Sequence, residues 1–152
     1  MKVNKIIKST VEEEVEITGA TLLSVEEAEN YLTAEEKAYT GCWWLRSPGR
    51  PDTRAAYVER DSYVDHIGFG VDDEFEVRPA LEISNLKSSN FEIGDTFEID
   101  GYEFKVISDN LAWMYKQDIG CYAFNEDYEK GNNYETSDIK KLVDEWFERL
   151  KV

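Results

Sequence analysis

The chain has 152 residues, enough for one domain with a real core, and its apolar and aromatic content argues against global disorder. With 33 acidic residues against 17 basic ones the formal net charge is −16. That balance excludes non-specific nucleic-acid binding and attraction to an anionic membrane, both of which need a basic surface; it suits solvation or a basic partner. The opening residues, Met1 to Lys8, have no apolar core long enough for a signal peptide, and no stretch is long enough to span a bilayer. Two cysteines, Cys42 and Cys121, do not make a disulfide framework and are expected to be reduced and structural.

In chain order, residues 3–17 alternate loosely, with Val11, Val15 and Ile17 among glutamates, which predicts an edge strand protected by charge. Ser24 and Glu27 have capping-box spacing, so a helix should run to about Leu32 and bury Val25, Ala28, Tyr31 and Leu32. Thr33 and Glu36 repeat that spacing, predicting a short helix to about Tyr39 that Gly41 ends. Trp43, Trp44 and Leu45 form an apolar run closed by a Pro48-Gly49 turn. On a strand one Trp should face the core and its neighbour the opposite side.

After the polar loop 50–54 comes a hairpin. A three-residue connection, Arg60-Asp61-Ser62, sets Val58 opposite Val64 and puts Tyr57, Glu59, Tyr63 and Asp65 on the other, outward face. Ser62 then occupies a position where such loops prefer Gly. Gly68 and Gly70 bracket Phe69, and Asp72-Asp73-Glu74 lead to the strand Val77–Ile83. Residues 84–90 are polar and read as a linker between subsegments 1–83 and 91–152 of a single domain. Beyond it, Asp100-Gly101 between two alternating runs predicts a type I′ hairpin with Phe97, Ile99, Tyr102, Phe104 and Val106 on one face. Leu111 to Tyr115 fits a third strand. Residues 137–150 carry Ile139, Leu142, Val143, Trp146, Phe147 and Leu150 at helical spacing, capped by Thr136 or Ser137. These elements predict an α+β fold with a small, mainly antiparallel sheet or sheets and two or three helices.

The blocks Trp43-Trp44-Leu45-Arg46-Ser47-Pro48-Gly49 and Val77-Arg78-Pro79-Ala80-Leu81 carry a resemblance. The chain resembles an uncharacterised bacterial and phage domain family in which these two segments follow one another. In that family the Gly-Asp…Gly-Tyr-Glu hairpin and Ser-capped helix come first, whereas here residues 94–150 follow Leu81. The resemblance therefore implies a circular permutation, which is tolerated where chain ends lie close and the cut is exposed. The strand pattern around the Trp-Trp block is also similar to C-type-lectin-like domains, whose irregular loops carry binding; related phage and bacterial proteins display variable residues there. The family gives no activity.

Read residue by residue, no enzymatic constellation emerges. His66, the single histidine, reads as structural or surface, since no partner or pocket for a general base is visible. No nucleophile elbow, phosphate loop or paired His-Glu motif occurs, and the flanks of Cys42 and Cys121 do not match the cysteine-using formylglycine-generating enzymes of lectin-like fold. Asp72, Asp73, Glu74 and Glu76 offer oxygens that calcium could use but lack EF-hand spacing, so they read as a solvated acidic loop. Arg46 and Arg78 are expected to partner acids and carbonyls. No metal and no cofactor is expected.

The outer face of the hairpin and the loop before it remain: Arg50, Asp52, Arg54, Tyr57, Glu59, Arg60, Tyr63, Asp65, His66 and Phe69. Tyr and Arg are enriched in binding hot spots, and mixed charge gives specificity. The expectation is a non-catalytic binding or display domain, with a protein or glycan as ligand, in the cytoplasm or a phage particle. The alternative is a structural or assembly protein of a phage-like element with no small-molecule ligand.

Overall fold

A computed structural model describes residues 2–7, 11–84, 86, 89 and 91–150, with side chains from residue 15 onward. The fold is α+β. The strands are β1 (Lys2–Ile7), β2 (Val11–Thr21), β3 (Trp43–Pro48), β4 (Arg54–Val58), β5 (Val64–Gly70), β6 (Glu74–Glu76), β7 (Ala80–Ile83), β8 (Thr96–Ile99), β9 (Tyr102–Val106), β10 (Leu111–Met114) and β11 (Cys121–Ala123). The helices are α1 (Val25–Tyr31), α2 (Ala34–Lys37) and α3 (Asp138–Arg149), with single 3-10 turns at Tyr128–Lys130 and Tyr134–Thr136. Among the described residues the first sheet has strand order β1-β2-β7-β10-β9-β8 and is antiparallel throughout. The second has order β11-β6-β3-β4-β5, antiparallel except where β3 runs parallel to β6.

Local chemistry forms these elements. The Ser24 hydroxyl accepts from the Glu27 amide at 3.1 Å while Glu27 accepts from the Ser24 amide at 2.9 Å, a complete capping box. Thr33 and Glu36 repeat it for α2. Ser137 caps α3, which lays Ile139, Val143 and Trp146 into the core and packs on β2 and β11. Asp100 and Gly101 both take positive φ, so the turn follows the strand twist and Ile99 pairs with Tyr102 as expected. The first hairpin also has its expected register, Val58 opposite Val64, with Ser62 in the left-handed region at φ 87°.

The core comprises two apolar clusters, and the alternation of strand side chains assigns residues between them. Trp44, Ala55, Tyr57, Leu81, Ala112 and Met114 lie in the first, with Val15, Phe104, Phe124 and the buried face of α3. Trp43, Leu45, Ala56, Val58, Ala80, Leu111 and Trp113 lie in the second, with Leu23, Ala28 and Leu32 from α1 and its flanks. Successive Cβ atoms point to opposite faces, so β3, β4, β7 and β10 are each buried on both. The first cluster draws on both expected subsegments, and Leu86, from the expected linker, is buried in it; residues 85, 87, 88 and 90 of that linker lie outside the described set.

Three expectations need correction. Tyr31 was expected in the core but is 44 % exposed, because α1 is short and buries only Ala28 fully. Tyr57 was expected on an outward face but is 7 % exposed, because the first cluster covers that side of β4. The strand expected over Val77–Ile83 begins only at Ala80: β6 ends at Glu76 in one sheet, and residues 77–79 cross to β7 in the other. Pro79 has no amide to donate to a ladder, which suits a break there. Two features had no sequence expectation: β11, and the turn that carries Tyr128.

Candidate functional site

The β4–β5 hairpin is built by its own polar groups. Ser62 N–H donates to Glu59 O at 3.0 Å and Glu59 N–H to Tyr63 O at 2.8 Å, closing the loop. Further along, Asp65 Oδ1 accepts from the amides of Ile67 and Gly68, both at 3.0 Å, and kinks β5 outward. Gly68 is required at this kink: its φ is +96°, and a Cβ there would collide with the backbone of Ala55. Three apolar residues of the hairpin remain in solvent, Tyr63 59 %, Ile67 56 % and Phe69 45 % exposed, the Phe69 ring also packing on Phe75 at 5.4 Å.

Arg50, Asp52, Arg54, Arg60 and His66 are also exposed, while Glu59 and Asp65 are half-buried. His66 Nε2 lies 3.5 Å from Glu29 on α1, a surface pair and not a catalytic arrangement. Tyr57 is the residue of the expected set that does not belong. Its ring centroid is 5.1 Å from Phe75 and 5.9 Å from Phe69, inside the aromatic cluster. Burial there, with the charges of Glu59 and Asp65 nearby, pushes its hydroxyl up to about 12. Arg54 and Phe69 meet Thr53, Asp72, Asp73 and Tyr128 around an open hollow of about 350 Å³. Among the described residues, no group of three or more His, Cys, Asp or Glu is placed to hold a metal ion. Cys42 and Cys121 are free thiols, and burial raises the pKa of both.

A second site has no counterpart in the sequence reading. The segment 77–79 is pinned as it crosses between sheets: Val77 N–H donates to Gly120 O at 3.0 Å, Ile119 N–H to Val77 O at 2.9 Å, and Met114 N–H to Pro79 O at 3.0 Å. Arg78, between them, is 1 % exposed. Its guanidinium carbon lies 4.2 Å from the Tyr39 ring centroid, 4.1 Å from Trp113 and 5.0 Å from Trp43. These faces attract the cation, worth about 2 kcal/mol or more when desolvated. Burial nevertheless pushes its pKa down to about 10, so it stays charged at neutral pH.

Arg46 and Arg78 part company here. Arg46 meets both expectations, an acid and a carbonyl, with Nη1 donating to Glu27 Oε1 at 2.5 Å and to Leu22 O at 2.7 Å. Arg78 has its carbonyl, Nε–H donating to Gln117 O at 3.1 Å, and no acid. Asp118 is close but occupied by Tyr39 Oη at 2.5 Å and the Gly120 amide at 2.7 Å. Burial, and then that bond, raise the Tyr39 hydroxyl well above its usual range. Arg78 lines a cavity of about 630 Å³ together with Tyr39, Tyr115 and Lys116. The Arg-Pro pair inside an apolar run was the available signal: it marks a strand break, and hence a side chain free of the sheet pattern.

Set against known proteins, the chain matches no family model, no curated protein and no solved structure. No helix among the described residues is long and apolar enough to cross a membrane.

Proposed function

We propose that this chain is a non-catalytic binding module that captures a protein partner on the outer face of the β4–β5 hairpin. The observation that carries this reading is the exposure of Tyr63, Ile67 and Phe69 on a single hairpin that also exposes Arg54, Arg60, Asp61 and His66. An apolar centre with a mixed-charge rim is the anatomy of a protein interface, and Tyr and Arg are its commonest anchors. The net charge of −16 favours a partner with a basic face. We place the module in the cytoplasm or a phage particle. Membership of the bacterial and phage family, in permuted order and with C-type-lectin-like architecture, belongs to the same proposal; the irregular connections 49–53, 59–63 and 77–79 support it.

The test places a photo-reactive amino acid at position 63 and identifies what it cross-links. Tyr63→Ala and Phe69→Ala should then each weaken binding of the recovered protein by about 2 kcal/mol, the scale of a hot-spot aromatic. Binding unchanged in both variants would remove the hairpin from the interface.

A glycan is the second reading, and one feature favours it. The hollow between Phe69, Tyr128, Asp72 and Asp73 offers aromatic surfaces beside carboxylate acceptors. Loss of glycan-array binding in Tyr128→Ala, with protein capture absent, would select it.

A further inference from the structure

We propose that the cavity floored by Arg78 is a binding site for a small monoanion, a carboxylate carried on a planar apolar body. This inference does not depend on the hairpin face and concerns a different part of the molecule.

A guanidinium has five N–H donors in its plane. Among the described residues only Nε–H of Arg78 has an acceptor; Nη1 is fully buried with none, and no carboxylate of a described residue lies within ion-pair distance. The aromatic rings do not remedy this, because a π face attracts the cation but leaves in-plane N–H groups unpaired. Trp113 repeats the shortage: its ring clamps the guanidinium, and its Nε1 is buried without an acceptor. A buried donor left unmade is costly, so native structures seldom keep one without a purpose.

Two of the nearby acids are already engaged. Asp118 is held by Tyr39 and Gly120. Glu36 pairs with Lys105 and caps α2 at Thr33. Arg78 thus borders the cavity as a cation with no ion pair among the described residues, in a molecule otherwise dominated by acids.

The walls define the ligand. Tyr39 and Tyr115 supply ring surface, and exposed Lys116, whose Nζ lies 4.8 Å from the Tyr115 centroid, supplies a second cation. Arg pairs strongly with a carboxylate, and Nη2, neither bonded to an acceptor nor sealed as Nη1 is, is the nitrogen left to do so. Glu35 and Glu36 also line the cavity, and they disfavour a dianion such as phosphate. An aromatic carboxylate meets each condition.

The experiment titrates the full chain with benzoate and follows the Arg78 Nε–H and Trp113 indole N–H resonances by NMR. Both should shift saturably, with Kd of about 1 mM as expected for so small a molecule. Benzyl alcohol, of like shape without the charge, and inorganic phosphate should leave them unmoved. Arg78→Met should lose at least about tenfold in affinity, as removal of a charge-assisted pair demands. Lys116→Ala, at an exposed position, should weaken binding a few-fold with an unchanged melt, and it decides the matter if Arg78→Met fails to fold. No saturable shift with benzoate, an equal response to benzyl alcohol, a preference for phosphate, or a Lys116→Ala protein that binds as tightly as its parent would each overturn the assignment.

Discussion

Trp44 sends its ring into a cluster of apolar side chains where its single N–H donates to Tyr122 O at 2.9 Å, while Trp43, the preceding residue, packs in a cluster that surrounds a charged guanidinium. On the Trp44 side, Phe75 and Phe124 lie 4.6 and 5.8 Å from the indole, centroid to centroid, and Tyr57 and Tyr134 complete the set. On the Trp43 side, Trp113 lies 5.5 Å away, with Arg78 seated against both rings. Each side of β3 holds one buried indole N–H without an acceptor, Trp146 in the first cluster and Trp113 in the second. Only the second also keeps a cation, and that cation borders a cavity. The difference separates packing that serves the fold from packing that holds a group in readiness.

That comparison can be tested in order of expected effect. Trp44→Ala should destabilise by about 3–5 kcal/mol, the cost of emptying a large aromatic site that cannot collapse. Denaturant unfolding would read it, and a loss below about 1 kcal/mol would mean that the first cluster is loosely packed. Ser24→Ala removes half of the capping box on α1, the helix that roofs the second cluster, and should cost about 1 kcal/mol.

The alkaline limb gives a finer test. The folded state holds the Tyr57 proton to about 12, against an ordinary value of 10.0. Between those pH values the folded chain keeps a proton that the unfolded chain releases, so Tyr57 makes stability fall as pH rises from 10 to 12. Arg78, whose pKa is lowered, acts in the opposite direction over much of that range but is common to both proteins. Unfolding free energies of Tyr57→Phe should therefore decline less steeply there than those of the parent; parallel slopes would place Tyr57 in solvent. Smallest of all, Tyr63→Ala should shift stability by no more than about 0.5 kcal/mol, as an exposed site does.

What could be read from the residues was local. Ser24 with Glu27, Asp100 with Gly101, the Val58–Val64 register and the stripe along α3 are each decided within a few positions, and each appears in the fold. Tyr57 shows the limit. Alternation says that it opposes Val58 across the strand, but it cannot say that Phe75, from β6, will cover it. Exposure on the same face does hold for Tyr63, at the loop, where nothing arrives from elsewhere.

Arg78 shows the limit more sharply. Its surroundings come from Tyr39, Trp43, Trp113 and Gln117, which no spacing rule connects, and from a passage between sheets that Pro79 marks but does not explain. Tyr128 is similar, since a single 3-10 turn carries it to the rim of the hollow beside Phe69.

The unfolding free energy of Arg78→Met, measured beside that of Trp44→Ala, tests the division most directly. Methionine fills a similar volume and asks for no acceptors, so it removes the unpaired donors along with the cation–π attraction. The account predicts a change within about 1 kcal/mol, or a gain, as found when buried charge gives way to apolar packing. A loss as large as that of Trp44→Ala would contradict this division, for the guanidinium would then hold the fold together as Trp44 does.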